Sequence, residues 1–137
     1  MPTPPRRKLH PALALLALPL AALVGGCGSP PTPGATVSHG VLQASAGLCQ
    51  ALGDLPDTRA ASRTFTNVAH AQLHVLAADQ RLDRSLQASV LQTMQQVEAD
   101  FSQGVGAGVL YGDLDALKNR TDQALQALGE EVPACDS

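Results

Sequence analysis

The stretch Asp83-Arg-Ser-Leu86-Gln-Ala-Ser-Val90-Leu-Gln-Thr-Met94-Gln-Gln-Val97-Glu-Ala-Asp-Phe101-Ser-Gln103 decides the fold. Leu86, Val90, Met94, Val97 and Phe101 recur every third or fourth residue, which draws one apolar stripe along an α-helix and no pattern along a strand. Asp83 suits the unpaired N–H groups and the positive dipole at the helix start, and Gly104 is a natural stop.

The same periodicity extends in both directions. Upstream, Val37, Val41, Ala44, Leu48 and Leu52 predict a helix from about Thr36 to Gly53, closed by Gly53 and Pro56. A second is expected from Asp57 to about Gln80, with Ala61, Phe65, Val68, Ala69, Leu73 and Leu76 facing inward. Downstream, Gly104 to Gly112 is glycine-rich and reads as a loop offering Val109, Leu110 and Tyr111 to a partner. A fourth helix then starts at Asp113 or Asp115 and ends before Gly129, with Leu114, Leu117, Thr121, Leu125 and Leu128 in register. Four amphipathic helices with mostly short connections predict an all-α domain, an antiparallel four-helix bundle over residues 36–137. Phe65, Phe101 and Tyr111 are the whole aromatic complement, so the core must be aliphatic.

Residues 1–35 have another character. Eight of the ten prolines stand at or before Pro33. Arg6, Arg7 and Lys8 precede an apolar run from Leu9 to Val24 that Pro11 and Pro19 interrupt. A span needs about 20 apolar residues, so this run reads as the apolar part of an export signal. Its end, Val24-Gly25-Gly26-Cys27, resembles the lipobox of bacterial lipoproteins, with Val24 where that pattern prefers Leu. The resemblance implies a signal peptide over 1–26 that is removed, and a Cys27 bearing diacylglycerol and a further acyl chain such as palmitate. Residues 27–35, with Pro30, Pro31 and Pro33, then form a semi-rigid tether. The competing reading is an ordinary cleaved signal with Cys27 kept for the fold. Arg6-Arg7 also resembles part of a twin-arginine signal, but its flanks favour general secretion.

Three cysteines leave an odd thiol in an exported chain. Acylation of Cys27 resolves this, and Cys49 and Cys135 remain as an expected disulfide. Such a bond, closing 86 residues, would stabilise the fold by ~4–5 kcal/mol in the chain-entropy picture. The tail after Gly129 would have to run back along the bundle by roughly 20 Å, near the reach of an extended chain.

The leader holds three of the nine basic residues and none of the twelve acidic ones, which leaves residues 28–137 with a net charge of −6. No basic stripe remains for nucleic acid or anionic lipid. Membrane attachment therefore falls to the lipid, on the extracytoplasmic face of the plasma membrane or on the outer membrane. An envelope protein or a small ligand is the expected partner.

His70 and His74, one turn apart on one helix face, form a pair of the kind that binds Zn, Cu or Ni. Further donors of suitable type are His39, Met94 and Glu98. A rotation of about 100° per residue from Phe65 places His70 near 140° and His74 near 180°, away from the core and close to Arg63 and Arg81. That geometry favours solvent-facing or partner-facing histidines without metal. Covalent haem is excluded, because no Cys-x-x-Cys-His occurs.

The glycines at 104, 106, 108 and 112 do not form a phosphate loop, since Asp113 follows where Lys-Ser/Thr is needed. Ser62 or Ser85 with either histidine lacks an orienting group and an oxyanion site, so no catalytic set is expected. The segment Phe65-Thr-Asn-Val-Ala-His70-Ala-Gln-Leu-His74 resembles a helix of small helical lipoproteins from high-GC bacteria, which implies no known activity. The sequence thus leads to a lipid-anchored, non-catalytic binding module without cofactor. Its alternatives are a Cu- or Zn-binding lipoprotein and a bundle holding a small apolar ligand.

Overall fold

Residues 39–135 are described by a computed structural model, and every regular element among them is helical. The expected signal peptide over 1–26, the expected lipidation site Cys27 and the expected tether over 27–35 lie outside the described residues.

Helix α1 spans His39–Gly53. Helix α2 is continuous but built of three pieces: α-helical Thr58–Thr64, a π-helical turn Phe65–Ala69, and α-helical His70–Ala77. Helix α3 spans Arg84–Gln103 and α4 spans Ala107–Ala127. Their packing is cyclic: α1 lies against α2, α2 against α3, α3 against α4, and α4 against α1.

The starts follow side-chain chemistry. Asp57 accepts from the N–H groups of Arg59 (3.1 Å) and Ala60 (2.9 Å), and Asp83 accepts from the N–H of Leu86 (2.9 Å). Each satisfies donors that helix geometry leaves unpaired. The same contacts hold both carboxyls below the ordinary carboxylate range: the Ala60 N–H leads at Asp57, the Ser85 hydroxyl at Asp83.

One buried cluster joins the four helices, with Val41, Ala44 and Leu48 of α1, Phe65, Leu73 and Leu76 of α2, Val90, Met94 and Val97 of α3, and Leu110, Leu114, Leu117 and Leu125 of α4. Leu52, Leu86, Phe101 and Leu128 are only partly buried against it, and Val68 is half-exposed. Gly47 lets α1 approach the π-turn, since a Cβ there would come within 2.9 Å of Val68 Cγ1 and 3.2 Å of the Ala69 backbone nitrogen.

The expected loop from Gly104 to Gly112 is not a loop. The chain reverses over three residues, with Gly104 in the left-handed region at φ 66°, and is helical again from Ala107. Leu110 sits one turn before Leu114, and its burial extends the stripe of α4 backwards. Gly108 and Gly112 stand where an added Cβ would meet nothing within 4 Å. Each glycine costs the helix about 1 kcal/mol, and burying Leu110 returns about 1.5–3 kcal/mol. Val109 and Tyr111 are exposed as expected, but on a helix, and Leu110 belongs to the core.

After α4, Gly129 turns the chain at φ 82° and Val132 packs against the core. Cys135 is bonded to Cys49 with a Cα–Cα separation of 5.2 Å. The tail therefore covers the distance that the sequence makes tight. Among the described residues, no helix is long and apolar enough to cross a membrane.

Candidate metal site on the second and third helices

The π-turn sets the position of His70. Its N–H donates to the carbonyl of Phe65, five residues back rather than four. A π-turn holds about 4.4 residues, so each advances about 82° and His70 arrives within about 50° of Phe65. The uniform helical count, which turns His70 away from the core, is overturned by this local change of pitch. The His70 ring meets the Phe65 ring edge-on at 5.6 Å between centroids, and Phe65 meets Phe101 of α3 at the same separation. His70 is consequently half-buried between α2 and α3.

There it meets Glu98 of α3, with Nε2 and Oε1 2.5 Å apart. The two side chains are 33% and 39% exposed. His74 follows one α-helical turn later, its ring edge-on to His70 at 4.8 Å, and is exposed. One ligand atom from each of His70, His74 and Glu98 lies within 4.8 Å of the others. Ligands 2.0–2.2 Å from a tetrahedral ion stand about 3.3–3.6 Å apart. Small side-chain rotations would bring the three to that spacing, opening the His70–Glu98 contact and drawing His74 inward.

The other expected donors are placed elsewhere. Met94 is 1% exposed and belongs to the core cluster. His39 is exposed at the first residue of α1 and is not a member of the three-ligand group. Of the two arginines that seemed adverse, Arg81 pairs with Asp79 at 2.6 Å, and Arg63 is exposed. Ser85 donates to Asp83, and Ser62 lines a surface cavity with Arg59.

Two polar arrangements had weaker sequence signals. Asp122 of α4 accepts from Ser45 of α1 at 2.8 Å and from Lys118 at 2.5 Å, and Lys118 is only 8% exposed. The spacing of Lys118 and Asp122 was legible, but their position on the buried side was not. Asp100 is 4% exposed; Gln96 donates to its Oδ1 at 3.0 Å, while Oδ2 has no donor among the protein groups. The Asp113 carboxyl of α4 faces it, and that hydrogen bond, then burial, raises Asp100 above the ordinary carboxylate range.

In comparison with known proteins, the chain matches no family model, no curated protein and no solved structure.

Proposed function

We propose that this chain is a lipid-anchored envelope protein whose helical domain, an antiparallel four-helix bundle, binds one divalent transition-metal ion through His70, His74 and Glu98. The observation that carries the reading is the convergence of two imidazoles and a carboxylate from two helices within 4.8 Å. An ion pair between His70 and Glu98 alone would leave His74 unused, and the π-turn that brings His70 to Glu98 is a feature frequent at functional sites. Imidazole with carboxylate suits Zn(II), Cu(II) and Ni(II), and Cu(II) stands highest in the affinity order.

The bundle reading is supported by the cyclic packing of the helices and their short turns. The lipid anchor rests on Val24-Gly25-Gly26-Cys27 and on the pairing of the other two cysteines, and it places the site outside the cytoplasm. Binding without catalysis is favoured by His70-Ala71-Gln72-Leu73-His74. Metallopeptidases of the His-Glu-x-x-His type carry their general base where Ala71 stands here.

The test is titration of the purified full chain with Cu(II), Zn(II) and Ni(II), repeated on the His70→Ala/His74→Ala variant. One equivalent bound at micromolar affinity or tighter, weakened at least ~100-fold in the variant, is the expected result. No binding, or binding unchanged in the variant, would refute the reading.

A further inference from the structure

Where α2 starts, α3 ends and α4 begins, the three helices border a surface cavity of about 240 Å³. Its lining is sorted by chemistry. From α2 come donors, the Thr58 and Ser62 hydroxyls and the Arg59 guanidinium. From α3 comes the carboxyl of Asp100, and Phe101 and Leu110 supply apolar surface. The turn between α3 and α4 leaves the space open, because Gly104 borders it and an added Cβ there would meet nothing within 4 Å.

Asp100 is the member whose bonding is incomplete. It is 4% exposed; Gln96 donates to Oδ1 at 3.0 Å, and Oδ2 has no donor among the protein groups. The Asp113 carboxyl faces it, which concentrates acceptors at one place. A buried carboxylate oxygen is stabilised by any donor and most by a charged one. A single water would serve that oxygen but takes up only about 30 Å³. The cavity has room for a whole molecule, though a smaller one than the drug-sized ligands that fill about 300–1,000 Å³. On α2, the exposed Arg59 and the two hydroxyls make the complementary half, with donors for an anionic group. Asp100 stands two residues after Glu98, about 200° round α3, so the cavity and the histidine pair are separate.

We propose that this cavity binds a small zwitterion of the α-amino-acid class. Its ammonium group donates to Asp100, its carboxylate is held by Arg59, and its aliphatic side chain lies on Phe101 and Leu110.

The experiment titrates L-leucine into the full, metal-free chain in excess chelator and follows the heat of binding. Two part-molecules are titrated beside it: 3-methylbutylamine, which lacks the carboxylate, and 4-methylpentanoate, which lacks the amine. One equivalent of leucine should bind, and each part-molecule should bind about 10-fold more weakly or worse. Asp100→Asn should weaken leucine by a similar factor. Arg59→Ala should weaken leucine while leaving the amine unaffected, and His70→Ala/His74→Ala should leave leucine binding as it is. No heat from leucine at millimolar concentration would overturn the proposal. So would an amine that binds as tightly as leucine, or leucine affinity unaltered in Asp100→Asn. The part-molecules read the unaltered chain, so they decide the matter even where a variant fails to fold.

Discussion

Asp122 and Glu98 are both carboxylates that link one helix to another, yet their surroundings differ. Asp122 is 17% exposed, receives the Ser45 hydroxyl and the Lys118 ammonium, and has both oxygens engaged. Glu98 is 39% exposed and meets His70, with His74 alongside. The first cluster is closed: both carboxylate oxygens have a donor, and a foreign ligand would have to break existing bonds. The second is open, with donors gathered in excess of what the protein itself uses. Enclosed, satisfied polar groups hold a fold together, and gathered, exposed ones are available for something else.

The sharpest way to break the comparison is to remove each carboxylate. Asp122→Ala strands an ammonium in a mostly buried position and should cost about 3–5 kcal/mol in urea denaturation. Glu98→Ala, with its pair well exposed, should cost under about 1 kcal/mol after solvent screening while metal affinity falls. Equal losses in the two variants would erase the distinction drawn here. Next in size is the disulfide. Cys49→Ser/Cys135→Ser frees the tail from α1 and should lower stability by about 2–4 kcal/mol, leaving metal affinity unchanged. Gly47→Ala then tests the seat of the π-turn. Its methyl group would press on Val68 and Ala69, and a loss of about 1–3 kcal/mol with altered metal binding is expected.

The smallest effect concerns Asp100. Its carboxyl binds a proton more tightly in the folded chain than in the unfolded one. The resulting contribution to stability is full below the unfolded value and declines as pH rises through the folded one. Asp100→Asn, which cannot ionise and carries an N–H₂ donor, should remove that decline and raise stability near neutral pH by about 1 kcal/mol. Asp57 and Asp83 act in the opposite sense, because their lowered values make stability fall as the solution is acidified. Urea midpoints from pH 3 to 8 for the two proteins would separate these trends.

Much of the fold was legible because burial has a period. Val90, Met94 and Val97 repeat as a regular helix requires, and Asp57 and Asp83 announce its starts. The start of α4 was hidden because Gly106, Gly108 and Gly112 argue against helix locally, while Leu110 contributes only through its contact with the core. The site was half legible. A His-x-x-x-His spacing marks one face, but its direction depends on the pitch between Phe65 and His70, and no local residue type announces a π-turn. Tertiary packing selects it: Phe65 must reach Phe101, Gly47 must admit Val68 and Ala69, and Leu73 must still face inward. The partnership with Glu98 follows from that selection.

The most direct measurement is anomalous diffraction at the metal edge from crystals of the full chain grown with one equivalent of Zn(II) or Cu(II). The expected map shows one ion about 2.0–2.2 Å from a ring nitrogen of His70, a ring nitrogen of His74 and a carboxylate oxygen of Glu98. An ordered ion bound elsewhere, or no anomalous density between α2 and α3 under these conditions, would contradict the account.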